Sequence, residues 1–123
     1  MEGNIKNFYN LEAWQKAHQL VLDIYKITKG FPKEELFGVT NQIRRAVSSI
    51  TANIAEGFER YHFKDKIKFY YQSRGSAAEV QNFLILAKDL NYIDDECFKN
   101  LMDKTTIAGQ MINGLIRSIN NQK

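Results

Sequence analysis

The stretch NQIRRAVSSITANIAEG, residues 41–57, has the rhythm of a helix with two distinct faces. At about 100° per residue, Ile43, Ala46, Val47, Ile50, Ile54 and then Phe58 fall on one apolar stripe. Roughly opposite run Gln42, Arg45, Ser49, Ala52 or Asn53, Glu56 and Arg60, again at intervals of three and four. A face that meets only water usually carries long charged side chains. Ser49, Ala52 and Asn53 are short and let another backbone come close. This face is expected to touch protein or ligand, and the helix is expected over about 40–61.

Outward from this segment the same spacing recurs. Leu11, Trp14, Ala17, Val21, Ile24 and Thr28 share one side of a helix over about 11–29. KGFP at 29–32 stops it, because glycine tolerates the left-handed turn after a helix and proline disfavours helical geometry in the residue before it. A turn at Tyr61, His62 and Phe63 leads to a third helix over about 64–90. Asp94 or Asp95 can cap a fourth over about 94–120, whose stripe is Phe98, Leu101, Thr105, Ala108, Ile112, Leu115 and Ile119. Strand alternation is absent from the sequence, and the short connections predict an all-α, antiparallel up-down-up-down four-helix bundle, one domain over 1–123.

Two features exceed what a lone bundle needs. In the third helix NFLILAKDL is apolar almost all round, so Phe83 and Ile85 are expected to be buried against a second copy of the chain. Midway along it sits GSAA, 75–78, and a turn centred on His62 sets Gly75 level with Ser49. That predicts close packing of the second and third helices at Gly75, offsetting the roughly 1 kcal/mol that a mid-helix glycine costs.

The chain has 123 residues and a formal charge of +3, and the charge is unevenly placed. Between 41 and 74 lie seven basic residues against three acidic, whereas the remainder has ten basic and eleven acidic. An anionic partner is expected to meet the middle of the chain. The start MEGNIKNFYN lacks the apolar run of a signal peptide, and the sequence has no run long enough to cross a bilayer. With Cys97 as the single cysteine, a cytoplasmic protein without membrane partners is expected.

The segments LEAWQKAHQL, FPKEELFGVTNQIRRAVSSITANIAEGFER and SRGSAAEVQNFLILAKDLNYI together resemble the four-helix bundle family called 23S ribosomal RNA intervening-sequence proteins. The resemblance runs from about 11 to 120. Its most specific part is Gln42, Arg44, Arg45, Ser49, Ile50, Asn53, Ile54, Ala55, Glu56 and Gly57. Thr51 departs from the pattern, standing where the family usually has proline, which predicts a straighter helix. The resemblance implies a homopentamer of antiparallel four-helix subunits and a connection with RNA. Distant relatives act as accessory proteins of diversity-generating retroelements, where a basic pentamer binds a reverse transcriptase and nucleic acid.

Arg44 and Arg45, about 100° apart on the helix, read either as phosphate ligands or as partners of carboxylates such as Glu56 on a neighbouring subunit. Asn53 and Glu56 read as an active polar pair or as a network that fixes helix pairing. Arg60, Lys64, Lys66 and Lys68, with Tyr61, Phe63, Phe69, Tyr70 and Tyr71, have the ingredients of a nucleic-acid surface, cations for phosphates and rings for unpaired bases. The same residues also suit solvated lysines over core aromatics. Arg44, Arg60, Lys64, Lys66, Lys68 and Arg74 are the candidate nucleic-acid ligands. Arg45, Ser49, Asn53, Glu56, Phe83 and Ile85 are the candidate oligomer contacts.

His18 and His62 accompany no metal-ligand pattern, Cys97 has no CxxC partner, and glycine elbows, phosphate loops and paired catalytic carboxylate motifs are missing from the sequence. Neither a metal nor another cofactor is expected, and the chain reads as a non-enzyme. Two functions follow: a basic homo-oligomer holding structured RNA, or a protein-interaction scaffold without direct RNA binding.

Overall fold

The computed structural model describes residues 5–122; residues 1–4, the start of the stretch read for a signal peptide, and Lys123 lie outside the described residues. Four helices carry the architecture: α1 (Glu12–Thr28), α2 (Val39–Glu59), α3 (Phe63–Asp89) and α4 (Asp95–Gln122). Strands are absent among the described residues. Short 3-10 turns at Phe8–Asn10 and Lys33–Glu35 precede α1 and α2.

The helix ends follow from local chemistry. At the head of α4 the Asp94 carboxylate accepts the Cys97 amide at 2.8 Å, the side-chain cap that an aspartate supplies. The end of α3 is closed by Asn91 in the left-handed region, φ 64°. The Tyr92 amide donates to the Ala87 carbonyl at 2.8 Å and the Asn91 amide to that of Lys88 at 2.9 Å, the paired return bonds that satisfy a helix's last carbonyls. Gly30 does not use its left-handed freedom, since no glycine has positive φ among the described residues. At that corner the Gly30 and Phe31 amides instead donate back to Ile27 and Thr28. Glu35 begins α2 from outside it: one carboxylate oxygen accepts the Val39 amide at 3.3 Å, and the other accepts the Tyr92 hydroxyl at 2.7 Å.

All four helices contribute to one apolar cluster. Leu20 and Ile24 come from α1, Ile43, Val47, Ile50 and Ile54 from α2, Tyr70, Val80 and Leu84 from α3, and Leu101, Ile112 and Ile119 from α4, all fully buried. The stripe read from 41–57 is thus the α2 contribution, with Phe58 packed against its edge. α2 is continuous past Thr51, whose hydroxyl donates to the Ser48 carbonyl at 3.0 Å.

Between α2 and α3 the polar contacts are regularly placed. Lys66 meets the carbonyls of Gly57 and Phe58, the buried Ser73 hydroxyl donates to Ile50 O at 2.8 Å, and the Ser76 hydroxyl donates to Ser49 Oγ at 2.9 Å. Ser76, not Gly75, therefore faces Ser49. Gly75 is exposed, and a Cβ built on it would meet nothing within 4 Å. The two small-residue stretches are level as expected, but one residue of offset turns a helix by about 100° and sends Gly75 outward. The close approach lies at Gly57 instead, where an added Cβ would sit 2.6 and 2.8 Å from two carbons of the buried Tyr70 ring.

Phe83 is half-buried and packs on the chain's own core rather than standing outside it. Ile85, Leu86 and Leu90 on α3 and Ile107 on α4 are exposed, Ile85 at 46%. No described helix is long and apolar enough to cross a membrane.

Candidate nucleic-acid interface

The α2–α3 turn gathers most of the basic residues marked in the sequence. α2 stops because Arg60 is extended (φ −72°, ψ 143°), and α3 starts after His62, also extended (φ −86°, ψ 137°). Tyr61 lies between them, with its side chain 88% exposed. Its ring meets His62 edge-on, centroids 5.1 Å apart and planes at 89°.

The six candidate cations occupy very different settings. Lys66 Nζ donates to the Phe58 carbonyl at 2.6 Å and to that of Gly57 at 3.3 Å, and lies 5.3 Å from the centre of the Phe58 ring. It closes the C-terminal end of α2, where the partial negative charge of a helix accumulates. Arg44 is likewise engaged. Its Nε donates to the Thr28 hydroxyl at 2.8 Å, a second guanidinium nitrogen approaches the Tyr25 carbonyl at 3.4 Å, and the plane lies over the Tyr25 ring. This side chain binds the last turn of α1 to α2, far along the chain from Lys64 and Lys68.

Arg60 pairs with Glu56 at 3.1 Å one turn earlier on α2, and its guanidinium rests over Phe69 at 4.7 Å. Glu56 therefore finds its cation within its own chain, at the residue that ends α2. Arg74 donates to Asn113 Oδ1 at 3.0 Å and covers the Tyr71 ring. Lys64 and Lys68 differ from these four: both are exposed, and neither makes a side-chain hydrogen bond, ion pair or ring contact among the described residues. Four residues apart on α3, they lie on one face, about 6 Å apart along the axis. Of the six candidates, these two, three and seven residues after Tyr61 in the chain, are the cations left open to an anion.

The polar face of α2 is organised separately. Asn53 Nδ2 donates to both the carbonyl and the hydroxyl oxygen of Ser49, each at 2.9 Å, and Ser76 completes the chain of bonds. The exposed Arg45 lines a shallow hollow with Gln42, Ala46, Ser49 and Glu79. Ser49 and Asn53 are thus joined to α3 within the chain, while Arg45 stands at the rim. Among the described residues, no cluster of three or more His, Cys, Asp or Glu side chains could hold a metal ion. Burial, with Asp94 and Asp23 nearby, pushes the Cys97 thiol above its ordinary range and away from the reactive thiolate.

What the sequence alone did not separate was the structural cations from the free ones. A cue did exist for Lys66: a lysine just after a tight interhelical turn is within reach of the preceding helix's last carbonyls. The Glu35–Tyr92 link, spanning 57 positions, had no local signal.

The chain belongs to the 23S rRNA-intervening sequence protein family, whose model matches residues 9–114. A solved structure from Bacteroides thetaiotaomicron VPI-5482, described as a protein with unknown function from the S23 ribosomal protein family, superposes with a TM-score of 0.80. The two are 24% identical, and the match covers 85% of this chain and 95% of that one. This likeness establishes a shared fold. No curated protein matches the chain.

Proposed function

We propose that the protein is a non-enzymatic, RNA-associated homo-oligomer that holds structured RNA by its phosphates. The carrying observation is the exposed pair Lys64 and Lys68, in no ion pair among the described residues and following the exposed Tyr61 in the chain. Family membership agrees with this reading, as does the basic excess of residues 41–74. Each subunit is an up-down-up-down antiparallel bundle. In support, α2–α3 contacts proceed from Gly57 with Lys66 to Ser49 with Ser76, and α3–α4 contacts from Arg74 with Asn113 to Gln81 with Thr106. Five copies assemble in the cytoplasm, with Ile85, Leu86 and Ile107 as apolar contact surface and the exposed Arg45 as a polar contact.

Phosphate binding releases condensed counterions, so affinity should fall linearly with salt on a double-logarithmic plot. Fluorescence anisotropy on a ribosomal RNA fragment tests this. Lys64→Ala with Lys68→Ala should flatten the slope by about 0.7–0.9 for each phosphate that is no longer neutralised. An unchanged affinity and slope would refute the assignment.

The exposed Ile85, Leu86, Leu90 and Ile107 also favour a second reading, a scaffold that docks another protein without touching RNA. A partner retained by the tagged protein after nuclease treatment would support that reading; one released together with the RNA would oppose it.

A further inference from the structure

We infer that the α2–α3 turn selects unpaired RNA, with one nucleobase stacked on Tyr61 and the adjoining phosphates on Lys64 and Lys68; this rests on the RNA-associated reading above. Two described aromatic side chains are each 88% exposed, Phe37 and Tyr61. Their charged surroundings differ in degree. Within seven residues of Tyr61 lie Arg60, Lys64, Lys66 and Lys68 against Glu56, Glu59 and Asp65, an excess of one cation, whereas Lys33 and Arg44 balance Glu34 and Glu35 around Phe37. A polyanion is favoured at the second ring over the first.

The backbone presents Tyr61 at the tip of the turn. Because Arg60 and His62 are extended, the ring belongs to neither helix, and α2 and α3 end on either side of it. His62 contacts it edge-on and, with Phe63, lines the adjoining hollow. The flanking groups that could collapse onto the ring are held elsewhere. Arg60 is fixed between Glu56 and Phe69, and Lys66 is drawn under the end of α2 by the Phe58 and Gly57 carbonyls. The turn is therefore set before any ligand arrives, which lowers the ordering cost of binding.

Bases within an A-form duplex already stack on each other, so a protruding ring gains nothing from them. An unpaired base offers a free face, and base–aromatic stacking tolerates any of the four bases. Lys64 and Lys68 supply charge to the backbone on the α3 side of the ring. The arrangement thus distinguishes single-stranded from paired RNA by shape, with little preference for sequence.

Anisotropy of the full chain with fluorescein-labelled oligoadenylate, compared with the same strand paired to oligouridylate, tests the inference. Stacking contributes about 1–3 kcal/mol per base, equivalent to roughly 5- to 140-fold in affinity. Tyr61→Ala should weaken single-strand binding by that factor, leave duplex binding and the salt slope unchanged, and be rescued by Tyr61→Phe. Circular dichroism should show all variants folded, since the ring is exposed. Equal single-strand affinity for Tyr61→Ala and the unmodified chain would overturn the stacking inference. If Lys64→Ala with Lys68→Ala still weakened binding in that case, the phosphate-binding reading would survive it. If neither change altered binding, or if the unmodified chain bound neither strand form, both would fall.

Discussion

Replacing glycine by alanine at two positions of this bundle should move stability in opposite directions. At Gly57 the new methyl would meet Tyr70 Cε1 at 2.6 Å, Cδ1 at 2.8 Å and the Lys66 carbonyl oxygen at 3.2 Å. The Tyr70 ring is fully buried in the central cluster and the Lys66 carbonyl belongs to the backbone of α3, so neither can yield cheaply. Overpacking of this kind costs typically about 1–3 kcal/mol. The helix-propensity gain of Gly→Ala, at most about 1 kcal/mol, is reduced this close to the end of α2. Gly57→Ala should therefore be net destabilising by about 1–2 kcal/mol.

Gly75 lies mid-helix with nothing within 4 Å of the built Cβ, so the same change there should stabilise the isolated subunit by about 1 kcal/mol. Urea titrations followed by circular dichroism would measure both, with the midpoint falling for Gly57→Ala and rising for Gly75→Ala at unchanged slope. A Gly57→Ala protein as stable as the parent would refute the claim that α2 and α3 meet in tight contact there. A destabilised Gly75→Ala protein would place a neighbouring copy against that bare turn.

Lys66→Met, which keeps the aliphatic stem but removes two charge-assisted bonds to the end of α2, should cost about 1–2 kcal/mol in the same titration while leaving the RNA salt slope intact. The Glu35 carboxylate, by hydrogen bond, together with burial and the charges of Glu35 and Glu34, raises the Tyr92 phenol above 10.0. Its stabilising bond is thus fully present below pH 10.0 and disappears as pH climbs through the raised value; Tyr92→Phe should flatten this alkaline part of the stability profile. Ile85→Glu, a charge placed on the exposed apolar strip of α3, should lower the mass seen by light scattering across dilution without lowering helix content. A monomeric parent protein would remove the reason for proposing assembly there.

Much of the fold was legible because its signals are local. Ile43, Val47, Ile50 and Ile54 repeat at helical spacing and are fully buried, and Leu101, Thr105, Ala108, Ile112 and Ile119 do the same on α4. Boundaries near Asn91 and Asp94 could be read because asparagine accepts the left-handed region and aspartate caps a helix. Rotation between helices was harder to read. NFLILAKDL is apolar almost all round, so its spacing could not say which of its residues face the chain's own core; that run supplies Leu84 and Ala87 to the interior, Phe83 to its edge, and Ile85 and Leu86 to the outside. The candidate site was legible as a composition, cations among rings, but not as an allocation. Lys64, Lys66 and Lys68 look equivalent in sequence; a turn of about 200° separates Lys66 from Lys64, and that alone sends it to the α2 carbonyls.

The most direct test is ultraviolet crosslinking of the protein to RNA in cells, with mass spectrometry of the crosslinked peptides. Adducts should concentrate between Arg60 and Tyr71, with Tyr61 prominent, and should disappear from that segment in the Tyr61→Ala, Lys64→Ala, Lys68→Ala protein. Recovery of RNA crosslinked solely at the opposite end of the bundle, around Phe37 and Asp94, or of no crosslinked RNA at all, would contradict the account.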